Sequence, residues 1–338
     1  MSSTMTVTGV YWENRVAFML TVEQEGSPLI EINGGNDIWT MAYTANGEYI
    51  GSGDADGIRL WRVEDGGRDM PVATMAAQDA RSLTVSKDGR WIAAGSCSVY
   101  AIVWDAKTSE KVFSHGEDVY TIFRVIDFSP DSTQLVTASY DDTATVWDVA
   151  TFEKVLSLDH GDSVTAAKYS PQGDRIATAT DSIVRVWDSN DGRLLVDIPV
   201  TVTPWTNTSI LWSDNHLFVV SGSTIKQFEA TTGSTVSEWP VPCSNSDSCV
   251  VLPQHGEFIV HSTSNIVTFW DTSTHAQLGL IQHSQSVFSI ALSPDDRFLA
   301  IGGLGGKITI KDLGEVPRVC IAYCWIIAYR NGFTANPP

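Results

Sequence analysis

Apolar positions along this chain alternate with polar ones in short runs, and the runs recur in a fixed order. Ile176-Ala177-Thr178-Ala179 and Val184-Arg185-Val186-Trp187 are typical. They place small or β-branched residues at a spacing of two, the signature of half-buried strands. Between the runs stand Asn46-Gly47, Asp88-Gly89 and Gln172-Gly173, pairs that tolerate positive φ in tight turns. No window of this region carries a sustained helical period. Strands divided by turns every ~8–12 residues predict an all-β chain.

The runs combine into a repeating unit. An apolar strand ends in aromatic-Ser-Pro or a variant, and an Asp/Asn-Gly turn follows. Then come a strand such as Leu135-Val136-Thr137-Ala138-Ser139, a short Asp/Gly turn, and a strand ending in Trp-Asp. The clearest copies run from Phe128-Ser129-Pro130-Asp131 to Trp147-Asp148 and from Tyr169-Ser170-Pro171 to Trp187-Asp188. The anchors Trp61, Trp104, Trp147, Trp187, Phe228, Trp270 and Lys311 lie 40 to 43 residues apart. A period of ~40–45 residues is that of a four-stranded propeller blade. The pattern predicts a seven-bladed β-propeller of four-stranded antiparallel blades over residues 28–313. Residues 1–27 form an unplaced N-terminal extension, in which Val16 to Val22 could make a strand, and 314–338 form a tail outside the repeat. Second strands crowd towards the axis, which suits the small Gly51-Ser52-Gly53, Ala93-Ala94-Gly95 and Ile301-Gly302-Gly303. Extra residues around Thr121 to Arg124 predict a bulge or lengthened loop in the third repeat.

Composition narrows the function. Among 338 residues, 43% are hydrophobic and 12 are Trp, enough to bury a sizeable core. Lys and Arg number 21 against 40 Asp and Glu, a formal net charge of −19. That balance disfavours nucleic acid, whose binding draws on Lys and Arg neutralising phosphates, and disfavours an anionic membrane. Basic proteins or peptides are the natural partners through long-range attraction. Cys97, Cys243, Cys249, Cys320 and Cys324 show no disulfide framework. The start of the chain lacks a secretory pattern, and the apolar stretch Val319 to Tyr329 is too short to span a bilayer. The expectation is a soluble monomer in the cytoplasm, with the nucleus as an alternative.

The Trp-Asp pairs closing the third strands resemble those of the WD-repeat (WD40) family over roughly residues 28 to 313. The resemblance implies a closed torus in which each repeat supplies the outer strand of one blade and three strands of the next. Leu29-Ile30-Glu31-Ile32 would then complete the seventh blade. It also implies a buried Asp-His-Ser-Trp network, assigned to His115, Ser139, Asp141 and Trp147 in the third repeat. The fourth repeat would keep His160, Asp181 and Trp187, with Ala179 in place of Ser. The seventh would keep His283 alone, and the second has Ser98 where Asp is expected. Repeats five and six lose most of it and are expected to be the least regular.

Catalysis finds little support. His115, Ser139 and Asp141 are the residue types of a nucleophilic triad, but the resemblance turns them towards a buried network, and no oxyanion site accompanies them. Cys320 and Cys324 lack nearby His partners for zinc. Asp54-Ala55-Asp56-Gly57 lacks the later ligands of a calcium loop and reads as a turn. No catalytic residue, metal or cofactor is assigned. The resemblance instead implies docking on the narrow face around the central channel. The candidates are Asp37, Trp39, Asp79, Arg81, Asp118, Tyr120, Thr165, Thr208, Ser248 and Phe288, with Tyr140 and Thr180 from later turns. Trp39, Tyr120, Tyr140 and Phe288 are favoured as aromatic anchors, and Trp39 should lie near Phe288. The predicted function is a non-enzymatic scaffold that binds a protein or peptide. The alternatives are a small-ligand or glycan-binding propeller and a propeller enzyme.

Overall fold

The computed structural model describes residues 6–12, 15–21, 29–64, 73–77, 79–96, 101–115, 123–200, 208–221, 223–242 and 249–315. Seven four-stranded antiparallel sheets follow one another along the chain. The first blade contains Thr40–Tyr43, Tyr49–Gly53, Gly57–Arg62 and Ala73–Ala76, from inside outwards. The inner strands of successive blades touch in an unbroken cycle, the seventh returning to the first. The seventh blade takes Val287–Leu292, Phe298–Gly303 and Lys307–Asp312 from the end of the repeat region and Ile30–Asn33 from its beginning. Strand Ile30–Asn33 pairs with Lys307–Asp312, Ile30 opposite Ile310. Closure leaves no long inner edge open to pairing with another chain.

The core is divided among the blade interfaces. Each of seven apolar clusters spans two neighbouring blades, as where Trp91, Ala93 and Val103 of the second meet Ile126, Leu135 and Trp147 of the third. Ile50, Ile92, Leu135, Ile176, Leu217, Ile259 and Leu299 sit at one equivalent position of the second strand, and all are fully buried. Full burial of such a side chain stabilises by ~1.5–3 kcal/mol. Crowding near the axis explains the small residues: a Cβ on Gly53 would sit 2.5 Å from Thr40 Cγ2. In the third and sixth blades the turn between third and fourth strands covers the interface with the preceding blade from outside. There Phe152 (φ 57°) stacks on Phe113 at 4.7 Å, and His275 (φ 60°) on Trp239 at 4.3 Å.

The hydrogen-bond network differs from its predicted form. Trp147 Nε1 donates to Thr137 Oγ1 (3.0 Å), not to Ser139. Ser139 Oγ instead accepts from the Asp141 amide (3.2 Å), and the exposed Asp141 carboxylate caps Thr143. The His115 ring lies 4.5 Å from that of Trp147. In the fourth blade Thr178 fills the acceptor position, so Ala179 marks no loss. Thr178 Oγ1 lies 2.7 Å from both Trp187 Nε1 and His160 Nε2, while Asp181 is exposed and His160 Nδ1 is buried without a partner. Ser52 does the same for Trp61 at 2.8 Å. The register puts Ala94, Val219 and Ile301 at this position in the second, fifth and seventh blades. In the seventh, His283 turns to Thr309 (3.3 Å).

The sixth blade holds a substitution in kind. His261 occupies the acceptor position, and Trp270 bonds Thr268 instead at 2.9 Å. His261 is fully buried with both ring nitrogens unpartnered, and burial lowers its pKa to about 4, so it is neutral. Blades five and six nevertheless keep four strands each; the inner strand of the sixth, Cys249–Val251, is three residues long.

Inner strands of the second, third and seventh blades each carry a register shift near their start, between Ala80 and Ser82, Phe123 and Val125, and Val287 and Ser289. The third-repeat bulge thus falls at Arg124. A separate hairpin pairs Thr6–Trp12 with Arg15–Thr21, and its second strand lies beside the outer strand of the sixth blade, Gln277–Gln282. Leu313–Glu315 form a short 3-10 turn.

Candidate functional site

One face of the ring is built by backbone staples. At four junctions among the described residues, the turn between second and third strands of one blade bonds the segment leading into the inner strand of the next. Ala80 N donates to Asp54 O (3.1 Å), Val164 N to Ser139 O (3.0 Å), Val287 N to Ser264 O (2.6 Å) and Ile38 N to Gly303 O (2.9 Å). These segments form a rim on that face among the described residues, and Asp37, Trp39, Asp79, Tyr140 and Thr165 lie on or beside them, with Arg81 and Phe288 at the start of the strands they lead into.

The structure brings part of the predicted set together where the first and second blades meet. Trp39 is half-buried, its amide bonded to Gly53 O (2.9 Å), and the Arg81 guanidinium lies 3.6 Å from its ring centroid. Arg81 is exposed and stands at the bulge of its strand, where the chain re-aims a side chain out of the ladder. Asp79 is half-buried with φ 53°, and its amide is stapled to Ala55 O (3.2 Å). Sequence reasoning missed Asn36 and Asp56 here. Asn36 Nδ2 donates to Asp56 Oδ2 (2.6 Å), and the Asp56 side chain remains 66% exposed. The Asp-x-Asp-Gly turn was the available signal. Its Asp54 is fully buried, paired with Arg59, and accepts from the amides of Asp56 and Gly57.

Other candidates fall elsewhere. The Asp37 carboxylate is engaged by the Gly305 amide at 2.7 Å. Phe288 is half-buried at the bulge of the seventh blade, whose inner strand touches the one following Trp39. Tyr140 is half-buried on its turn, with its carbonyl accepting from Ser163 Oγ (3.4 Å). The Thr165 hydroxyl donates to Ala179 O (3.3 Å). Thr180 is 0% exposed and Thr208 4%, so neither presents a side chain on the surface; Thr180 Oγ1 accepts from the Ser182 amide of its own turn (3.3 Å). Asp118, Tyr120, Ser248 and Ser98 lie outside the described residues.

The electrostatics of the rim are mostly negative. Asp56, Asp141, Asp159, Asp162 and Asp181 are exposed. Arg185 is occupied by Asp197 (3.1 Å) and by the carbonyls of Asp159 and His160. His160 is buried behind this edge, and desolvation, helped by Arg185, lowers its pKa to about 4. Among the described residues no group of three or more His, Cys, Asp or Glu could hold a metal ion. No described helix is long and apolar enough to cross a membrane.

The comparisons with known proteins agree with this construction. The family described as WD domain, G-beta repeat matches residues 107–148, 152–188 and 276–312. The U3 small nucleolar RNA-associated protein 15 homolog of Xenopus laevis is 22% identical over 222 residues, covering 65% of this chain and 35% of the relative. Protein groucho of Drosophila melanogaster is 22% identical over 277 residues, covering 79% and 37%. Human protein NEDD1 is 27% identical over 146 residues, covering 41% and 22%. The chain thus spans about a third or less of the length of these relatives. The chain is thus a seven-bladed β-propeller that carries WD repeats in its third, fourth and seventh blades, and its other four blades share their strand order.

Proposed function

We propose that this chain is a non-enzymatic scaffold that holds a protein or peptide on the rim formed by the stapled turns. The observation that carries this reading is the composition of that rim. A rigid backbone presents residues that differ from blade to blade: Trp39 with Arg81, Tyr140, Phe288, and carboxylates between them. A repeated small-ligand or glycan pocket would need the same polar and aromatic set on each blade, and the described part of the rim lacks that repetition. Half-buried aromatics are the kind of anchor that supplies most binding energy at protein interfaces, and surrounding charge governs orientation and on-rate. The negative rim favours a basic partner. Membership in a family of protein-interaction scaffolds supports the same reading.

The test is affinity capture with mass spectrometry, comparing the native chain with the triple variant Asp162→Lys, Asp181→Lys, Phe288→Ala. With thermal melting unchanged, the variant should lose the partners of the native chain. Recovery of the same partners at the same yield would remove the rim from the argument.

A further inference from the structure

We propose that the indole of Trp39 is the floor of a subsite for an arginine side chain of a basic partner, and that Arg81 fills this subsite in the free protein. The inference rests on the reading of the rim as a protein-binding surface and names the chemistry of one position on it.

Three observations point this way. The Trp39–Arg81 stack joins two blades. The other described arginine–aromatic contacts stay within one blade and are longer: Arg62 with Tyr49 at 5.5 Å, Arg90 with Trp91 at 4.4 Å, Arg185 with Trp187 at 5.9 Å and Arg297 with Phe298 at 4.9 Å. Secondly, the ring is what holds the Arg81 guanidinium, since none of the ion pairs among the described residues includes it. An exposed arginine on a bulge, without a carboxylate clamp, can leave the ring and recover its rotamer freedom in water. Thirdly, the ring itself stays. Trp39 is half-buried and its backbone is bonded to Gly53, so displacement of Arg81 bares a preformed aromatic face.

The exchange replaces one guanidinium by another, so the ring contributes about equally before and after. The net gain comes from the surroundings. Asp56 is mostly exposed on the adjoining turn, and the remaining rim carboxylates attract an incoming cation and repel an anion. A planar guanidinium stacks on an indole better than a compact ammonium, so arginine is preferred to lysine. Arg81 therefore sets a threshold that a partner must exceed, and its removal should sensitise the site.

The probe is a hexa-arginine peptide titrated calorimetrically into the full chain at physiological salt, with hexa-lysine and hexa-glutamate as controls. Arg81→Ala should bind hexa-arginine about threefold or more tightly than the native chain, within the range of an exposed to partly desolvated cation–π contact. Removing a positive charge would by itself favour a cationic peptide, so the decisive measurement is a double-mutant cycle. On a Trp39→Leu background the Arg81→Ala gain should largely vanish, and on Trp39→Phe part of it should remain. Hexa-lysine should gain less than hexa-arginine. The proposal is overturned if the gain persists undiminished with Trp39→Leu, if Arg81→Ala weakens or leaves unchanged the binding of hexa-arginine, or if hexa-arginine binds neither protein. It is also overturned if hexa-glutamate binds the native chain and loses that binding with Arg81→Ala, since Arg81 would then be the recognition group itself. Failure here with partner loss in the Asp162, Asp181 and Phe288 variant removes only this subsite. Partner retention by that variant removes the wider reading.

Discussion

The Gly305 amide donates to the Asp37 carboxylate across 2.7 Å, although 268 residues separate the two in sequence. The bond crosses from the turn of the seventh blade to the segment leading into the first, beside Gly34 N to Gly306 O (2.6 Å) and Ile38 N to Gly303 O (2.9 Å). Together with Ile30–Asn33 on the outer side of the seventh blade, it closes the ring. Asp37→Ala should therefore destabilise the fold by about 1 kcal/mol, the modest end for a hydrogen bond to a charged group near solvent. Urea denaturation checks this. An unchanged midpoint with an unchanged slope would show that closure does not depend on the side chain.

Thr178 accepts from one buried indole and meets one buried imidazole, each at 2.7 Å. Thr178→Val keeps the shape and deletes the hydroxyl, leaving both groups unsatisfied, so a loss of about 2 kcal/mol or more is expected. Ser139→Ala removes only an acceptor for the Asp141 amide and should cost clearly less than Thr137→Val, which orphans Trp147 Nε1. Equal losses at Ser139 and Thr137 would contradict the assigned register.

His261 and His160 make stability depend on acid. Both have folded pKa values lowered from 6.5 to about 4 by burial. Between these values the unfolded chain binds more protons, so stability is complete above pH 6.5 and declines as pH falls towards 4, by up to ~1.4 kcal/mol per pH unit for each imidazole. His261→Leu removes a buried ring with no hydrogen-bond partner. It should raise stability at pH 7 and flatten the acid side of a melting-temperature profile. A variant with an unaltered pH slope would show that His261 does not titrate on unfolding.

His275 adopts φ 60° while stacking on Trp239 at 4.3 Å. Equivalent turns use Gly192 and Gly233, both at φ 71°. His275→Ala loses the stack and keeps the unfavourable backbone, whereas His275→Gly loses the stack and relaxes the backbone. Alanine should thus be the more destabilising by about 1 kcal/mol. The reverse order in calorimetry would mean that the left-handed conformation is not maintained.

Period and alternation alone establish seven blades, their strand pattern and the small residues near the axis; Leu29 to Ile32 as the outer strand that completes the ring comes from the resemblance to the WD-repeat family. The former features are legible because each reports on local geometry: a strand exposes every second residue, and a blade takes about 42. Which hydroxyl serves the Trp147 indole is a different matter. Thr137 and Ser139 lie on the same face of one strand, two residues apart, so alternation cannot separate them. The pairing of Trp147 with Leu135 decides for Thr137. The same reason hides the fate of Thr180 and the meeting of Trp39 with Arg81. Burial of the first is a property of the folded ring, and the second joins residues of different blades across a bulge that no pattern locates. Local spacing writes the repeat; only closure of the ring determines which side chains of adjacent repeats face one another.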